Sequence, residues 1–324
     1  MWHPENTILV GDVGGTNVRL GLIDSDADGK LTLSQFSKVR GDDVNSLADA
    51  IDQYLQETNF KPNHVCIALA GPVSQGVVTL TNRPWRVSEA ELSKAFDFKN
   101  VRLFNDFTAM ARSVPELNKS DFKTLSKGEP NPNKPILVAG PGTGFGTATI
   151  SKINDRWHVF SGEGGHQAWS PQTPEETELL HILQKKHDFV SLELVSSGQG
   201  MDAVHAAICE RHGVPYTRML PSEIQKAAHE GDAISLEVCE VRGTAVMGAM
   251  GDMAVIFGAE GGVVLAGGVS ERLIDYIDTD RALARFMQRG PMSDYVSKIP
   301  VQLMLNHTAP LFGAAALYRD DILR

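Results

Sequence analysis

Two stretches of this chain are written to one plan: an apolar, β-branched run, a turn of Gly and Thr, and a second apolar run. The first is Val10-Gly11-Asp12-Val13-Gly14-Gly15-Thr16-Asn17-Val18-Arg19-Leu20-Gly21, and the second, 128 residues later, is Val138-Ala139-Gly140-Pro141-Gly142-Thr143-Gly144-Phe145-Gly146-Thr147. Ile8 to Val10 and Val18 to Ile23 read as strands, and Gly14-Gly15 is predicted to supply a positive-φ turn between them. With no β-carbon in the way, the N–H groups of such a turn and the Thr16 hydroxyl can face an oxyanion, while Asp12 can hold a hydrated Mg²⁺. Taken singly, either stretch also fits an ordinary tight hairpin. Their recurrence predicts two similar half-molecules, each presenting a phosphate-binding hairpin to a shared cleft.

A third Gly-rich element, Val263-Val264-Leu265-Ala266-Gly267-Gly268-Val269-Ser270, is predicted to be a buried strand running into a helix start, where backbone can approach a flat base or a phosphate. A plain small-residue strand-to-helix turn has the same composition. Other nucleotide signatures do not fit. Gly29-Lys30 is followed by Leu31, which rules out a Walker-type loop, and the alternation Gly140, Gly142, Gly144, Gly146 misses the dinucleotide spacing. Asp106-Phe107-Thr108 lacks the Gly of the protein-kinase metal motif.

With 324 residues, 42% of them hydrophobic and 22% charged, the chain is long enough for a large core divided between two α/β domains. A formal net charge of −10 leaves no electrostatic footprint for nucleic acid or an anionic membrane. Met1 to Asn6 hold no basic and apolar leader, so a cytoplasmic protein is expected. The apolar region Gly243 to Val269 is broken by Asp252 and Glu260 and reads as a buried helix followed by a strand. Cys66, Cys209 and Cys239 are isolated in apolar contexts, as core thiols of a reducing compartment would be. No Cys-x-x-Cys or His-Glu-x-x-His is present, so no structural zinc is expected.

Along the chain, strands are predicted at 7–12, 17–23, 31–39, 64–70, 77–80 and 101–105, with a helix at 44–57 and another opened by the capping-box pattern Ser88 to Glu91. Hairpin strands around 136–151 and 156–160 then lead to helices near 175–186, 200–211, 222–229 and 233–257. Strands at 262–266 and 301–306 and a closing helix from Leu311 to Leu323 complete the pattern. The duplicated hairpin divides the chain into a small domain, 1–110, to which the closing segment 307–324 returns, and a large domain, 111–306.

Three groups of side chains look chemical. Leu103-Phe104-Asn105-Asp106-Phe107 puts an Asn-Asp pair at a strand end, where Asp106 is a candidate base toward an alcohol and Asn105 could donate to and accept from a hydroxyl. An Asx cap on the following helix explains the pair equally well. Ser161-Gly162-Glu163-Gly164-Gly165-His166 sets two functional side chains on a pliant backbone, and Glu163 with His166 could clamp adjacent sugar hydroxyls; a metal site or a solvated loop are the alternatives. Glu193, in Ser191-Leu192-Glu193-Leu194-Val195, would alone be read as a surface carboxylate.

Taken in order, Gly11-Asp12-Val13-Gly14-Gly15-Thr16-Asn17, Thr81-Asn82-Arg83-Pro84-Trp85, Asn105-Asp106-Phe107-Thr108-Ala109, Gly140 to Gly146, Gly162-Glu163-Gly164-Gly165-His166 and Ala266-Gly267-Gly268 resemble the bacterial-type glucokinase family over essentially the whole length. This is the branch without the Cys-rich zinc motif of the repressor/ORF/kinase proteins. The resemblance implies an actin-like ATPase (ribonuclease H-like) fold and ATP-dependent phosphorylation of glucose with Mg²⁺. It implies that Asp106 is the base and that Asn105, Asp106, Glu163, His166 and Glu193 bind the sugar. Gly11, Asp12, Val13, Gly14, Gly15 and Thr16 would form the ATP loop, with Mg²⁺ held by Asp12 through water. Gly142, Thr143 and Gly144 would complete the phosphate site, with Gly267 and Gly268 near the adenosine. Glucose and ATP are then the partners, without nucleic acid or membrane, and a homodimer is left open. A kinase for fructose or mannose and a sugar-responsive regulator are the rival readings.

Overall fold

The computed structural model describes residues 7–26, 28–80 and 83–322. Its first elements are β1 (Ile8–Val13), β2 (Asn17–Ser25), β3 (Leu31–Arg40), α1 (Leu47–Thr58), β4 (His64–Leu69), β5 (Val73–Ser74), β6 (Val77–Thr79), β7 (Arg86–Ser88), α2 (Glu89–Phe96), β8 (Asn100–Asn105) and α3 (Asp106–Ser113). There follow β9 (Phe122–Ser126), β10 (Ile136–Pro141), β11 (Phe145–Ile153) and β12 (Arg156–Gly162). Five helices come next: α4 (Pro174–Gln184), α5 (Leu192–Ser196), α6 (Met201–His212), α7 (Pro221–His229) and α8 (Ala233–Phe257). The chain finishes with β13 (Gly262–Leu265), α9 (Ile274–Ile277), α10 (Asp280–Met287), α11 (Ser293–Val296), β14 (Val301–Met304) and α12 (Ala309–Ile322). It divides into two compact units, one reaching Asp121 and adding Trp157–Ser161 and the chain from Asn306, the other comprising Phe122–Arg156 and Gly162–Leu305.

The first unit is built on a sheet of order β3-β2-β1-β4-β8. β1 runs antiparallel to β2 and parallel to β4, and β4 runs parallel to β8. Alternation of side chains along β1 sends Leu9 and Val13 into one apolar cluster with Leu47, Ile51 and Tyr54 of α1, and Ile8 and Val10 into another with Leu311, Ala314 and Ala315 of α12. α12 and α3 touch backbone to backbone, since a β-carbon on Gly313 would overlap the Ala109 carbonyl oxygen. Beside this contact Arg112, only 2% exposed, donates to Asp320 at 2.7 Å and to Glu116 at 2.8 Å. The capping box expected at Ser88 is only half formed. Ser88 Oγ lies 3.5 Å from the Glu91 N–H, but the Glu91 carboxylate turns to Arg86 at 2.7 Å instead of returning to the cap.

β11, β10, β13, β14 and β9 of the second unit are consecutive strands of a sheet of order β12-β11-β10-β13-β14-β9. β10 repeats the arrangement of β1, antiparallel to one neighbour (β11) and parallel to the other (β13). α8 is capped by Asp232, whose carboxylate accepts the Ser235 N–H at 2.8 Å, and stops at Gly258 with φ 59°. It is apolar nearly all round and therefore buried, with Val238, Val246, Met250 and Ala254 in one core with Leu137 and Leu265. No helix among the described residues is long and apolar enough to cross a membrane.

Candidate active site

In the first unit Val13, Leu69 and Asn105 stand in register across β1, β4 and β8, so three parallel strands end level. That edge of an open α/β sheet is where side chains and loops are free to meet a ligand. The turn from β1 to β2 has two of its carbonyls engaged: Gly15 O accepts from Arg83 Nε at 3.1 Å and Thr16 O from the Gly41 N–H at 2.9 Å. Gly14 donates to Asn17 O at 3.1 Å, which leaves the N–H groups of Gly15 and Thr16 as what the turn offers among the described residues. A concavity of donors with these acceptors tied up suits an anion. The positive φ expected at Gly14-Gly15 is absent, because neither residue takes left-handed backbone. A β-carbon on Gly14 would meet nothing within 4 Å, so glycine here keeps space open beside the turn and is not needed to make it. Thr81 and Asn82 lie outside the described residues.

Asp12 is 5% exposed and faces Arg19 across the hairpin, whose Nη1 donates to it. Burial pushes the Asp12 carboxyl above its ordinary value, while the charge and hydrogen bond of Arg19 pull it back. A carboxylate paired through one oxygen to Arg19 keeps acceptor lone pairs for a hydrated cation. No cluster of three or more metal-ligating side chains surrounds it among the described residues, so the fit is to a Mg²⁺ that brings phosphate and water ligands with it.

Asn105 is the cap that the sequence left as one alternative. Its Oδ1 accepts from Phe107 and Thr108 N–H at 3.0 and 3.1 Å, and its Nδ2 donates to Gly71 O at 3.3 Å. Both lone pairs of the oxygen are thus used, so Asn105 cannot accept from a hydroxyl as expected; one amide hydrogen remains to donate. Asp106 opens α3 half-buried, with Oδ1 accepting the Phe107 N–H at 2.9 Å, at the helix end that favours negative charge.

In the second unit the corresponding turn is held the same way by other groups. Gly142 O accepts from Gly198 N–H at 3.2 Å and Thr143 O from Gln199 N–H at 3.4 Å, while Gly142 donates to Gly144 O at 2.8 Å. The N–H groups of Thr143 and Gly144 are what remain among the described residues. A β-carbon on Gly140 would overlap Ala266 O, and Gly267, at φ 91°, would bring one within 2.6 Å of Pro141 O. Here glycine is demanded by backbone packing. The helix start expected after Gly268 is a single 3₁₀ turn, Glu271–Leu273, leading into the four-residue α9.

Glu193 does not lie loose on the surface. Ser191 caps α5, and Glu193 Oε2 accepts the Phe145 N–H at 2.7 Å. The Glu163 and His166 side chains are exposed, but the backbone under them is not pliant as predicted. Residues 164–166 form a 3₁₀ turn pressed onto β11, where a β-carbon on Gly164 would sit 2.5 Å from Thr147 Oγ1 and one on Gly165 2.5 Å from Phe145 O. The second unit therefore gathers Glu163, His166, Glu193, the hairpin and the Gly267 turn around Phe145 and Pro141.

Three arginines have roles that the sequence reading did not assign. Arg19 and Arg83 serve the first turn as described. Arg242 of α8 is 1% exposed and donates from Nη2 to Ser196 O and Ser197 O, both at 3.1 Å, fixing the segment that reaches the second turn. Burial lowers it to about 10, so it stays charged at neutral pH. The visible signal was one basic residue at the head of the apolar run Gly243 to Met250.

The glucokinase family model matches residues 9–321. A glucokinase of Caulobacter sp. (strain K31) is 36% identical over 97% of this chain and 95% of its own length. One from Cronobacter sakazakii (strain ATCC BAA-894) is 35% identical over 97% of each. The crystal structure of glucokinase from an Antarctic psychrotroph aligns with a TM-score of 0.86 and 34% identity, covering 97% of this chain and 99% of that one. A ROK-family glucokinase from Streptomyces griseus, in complex with glucose and AMPPNP, shares the fold with a TM-score of 0.67 at 19% identity over 97% and 99% of the two chains. With its two matching hairpins and level strand ends, this chain has the actin-like ATPase fold and belongs to the glucokinase family.

Proposed function

We propose a division of labour for the ATP-dependent phosphorylation of glucose that this enzyme carries out. Asp106 is the general base: it takes the proton of the sugar 6-hydroxyl as that oxygen attacks the γ-phosphorus in line. Asn105 gives its remaining amide hydrogen to a neighbouring hydroxyl. Glu163 accepts from two hydroxyls, His166 donates and accepts, and Glu193 accepts through its second oxygen. The backbone of Gly11 to Thr16 and of Gly142 to Gly144 holds the phosphates, and Gly267-Gly268 lie against the adenosine. Asp12 would hold through water a Mg²⁺ bound to the nucleotide, which would supply neutralisation of phosphate charge. The enzyme works in the cytoplasm, where ATP is supplied and its three unpaired, buried thiols stay reduced.

The observation that carries this reading is the alignment of Val13, Leu69 and Asn105, which sets the Asn105-Asp106 pair and a donor-lined turn along one strand-end edge of the first sheet. A coupled ADP-release assay over glucose, fructose and mannose, with a sugar-free control, tests it. ADP release with glucose well above the control is expected. Turnover confined to another hexose, or equal rates without sugar, would overturn it.

A further inference from the structure

We propose that Glu193 couples sugar binding to the ATP-phosphate turn, one carboxylate serving both; the inference rests on the reading of Glu193 as a sugar ligand. Oε2 accepts the Phe145 N–H at 2.7 Å, at the residue that directly follows Thr143 and Gly144. Oε1 has no partner among the described residues and is the oxygen left for a hydroxyl. Gly144 is not in left-handed backbone, so its conformation does not require glycine. What excludes a side chain there is the carboxylate: a β-carbon on Gly144 would overlap Glu193 Oε2.

On its other side Phe145 meets the sugar loop, with its carbonyl oxygen and Cβ 2.5 and 2.8 Å from the place a β-carbon on Gly165 would take. Phe145 is thus bonded through its N–H to one proposed sugar ligand and packed at its carbonyl against the loop that bears two others, Glu163 and His166. A hydroxyl held on Oε1 fixes the orientation of the whole carboxylate, hence of Oε2, hence of the start of β11 and the turn before it. A turn already ordered has less freedom to lose when phosphate binds, which makes sugar and nucleotide bind better together than apart. Linkage makes the effect reciprocal.

The distinguishing variant is Gly144→Ala, which lies in the phosphate turn yet displaces the far end of a flexible side chain rather than backbone. Glucose is titrated calorimetrically with no nucleotide present, into protein whose unfolding transition has been checked. Gly144→Ala is expected to weaken glucose by about fivefold or more, and adding Glu193→Ala should weaken it by less than the product of the two single losses. Glucose affinity unchanged in Gly144→Ala, while Glu193→Ala lowers it, overturns the coupling and leaves the sugar role of Glu193 standing. Unchanged affinity in Glu193→Ala removes that role and the coupling with it. The reciprocal titration, a non-hydrolysable ATP analogue into Glu193→Ala without sugar, should also show weakened binding; wild-type affinity there overturns the proposal even if Gly144→Ala does not fold.

Discussion

The two hairpins start from nearly the same backbone and end with different chemistry. β1 and β10 begin and finish 128 residues apart, and so do the first residues of β2 and β11. Yet Val13 faces Val18 in the first, whereas Pro141 faces Phe145 in the second, so one closes a residue tighter than the other. A register change of one residue alters every cross-strand pair. Asp12 consequently meets Arg19, while Gly140 meets Gly146 and no charge is present. The first hairpin carries its carboxylate on its own strand; the second borrows one, Glu193, from α5. Under the proposed roles, where the acid comes from is what turns one donor scaffold toward a metal and the other toward a sugar.

The largest expected effect lies outside both hairpins. Asp106→Asn keeps the shape and removes the proposed base, so kcat should fall on the order of a hundredfold or more with ATP-analogue affinity unchanged. A parallel loss of analogue affinity would make Asp106 part of the phosphate grip and break the division between hairpins and base. The next is a paired test of why each turn has glycine. Gly140→Ala, driven into Ala266 O, should lose about 2 kcal/mol or more in denaturant unfolding. Gly14→Ala, with open space around it, should stay within about 0.5 kcal/mol of wild type. Equal losses would mean that the two turns are held alike.

The smallest effect is one of pH. The folded chain binds the Asp12 proton more tightly than the unfolded chain does, because the carboxyl is raised. Wild-type stability therefore falls as pH rises from the ordinary carboxyl value toward the raised one, and the stability of Asp12→Asn relative to wild type should increase across that window. Thermal midpoints read at successive pH values check this. A flat difference would show that Arg19 cancels the burial of Asp12 and that the first hairpin is electrostatically as quiet as the second.

Most elements were legible because their cause is local. Alternating apolar residues around Gly turns gave β1, β2, β10 and β11, and an apolar stretch between Asp232 and Gly258 gave α8 to the residue. What could not be read depends on distant partners. The register at Phe145 goes with bonds from Gly198 and Gln199, and the rigidity of Gly164-Gly165 depends on β11 beneath them. β9, with Lys123 and Thr124 at its centre, becomes a strand only by pairing with β14. Candidate residues were found by type, and Asn105 as cap was one of two readings of the sequence because its bonds go to Phe107 and Thr108 just ahead, but Glu193 as brace needed coordinates, since its bond reaches the Phe145 backbone 48 residues away.

The seating of α12 against Ile8, Val10, Ile23 and Cys66 also fixes an order of assembly. A ribosome releases β1, β2 and β4 before the helix that covers that face of their sheet, which follows every strand of both large sheets in the chain. All of β9 to β14 emerge in the interval, so the second unit has every strand of its sheet before the first has its final layer. Domains generally fold as they are completed during synthesis. On that order the first unit is completed by a docking step, in which Leu311, Ala314, Ala315 and Tyr318 close the apolar face made by Ile8, Val10, Ile23 and Cys66.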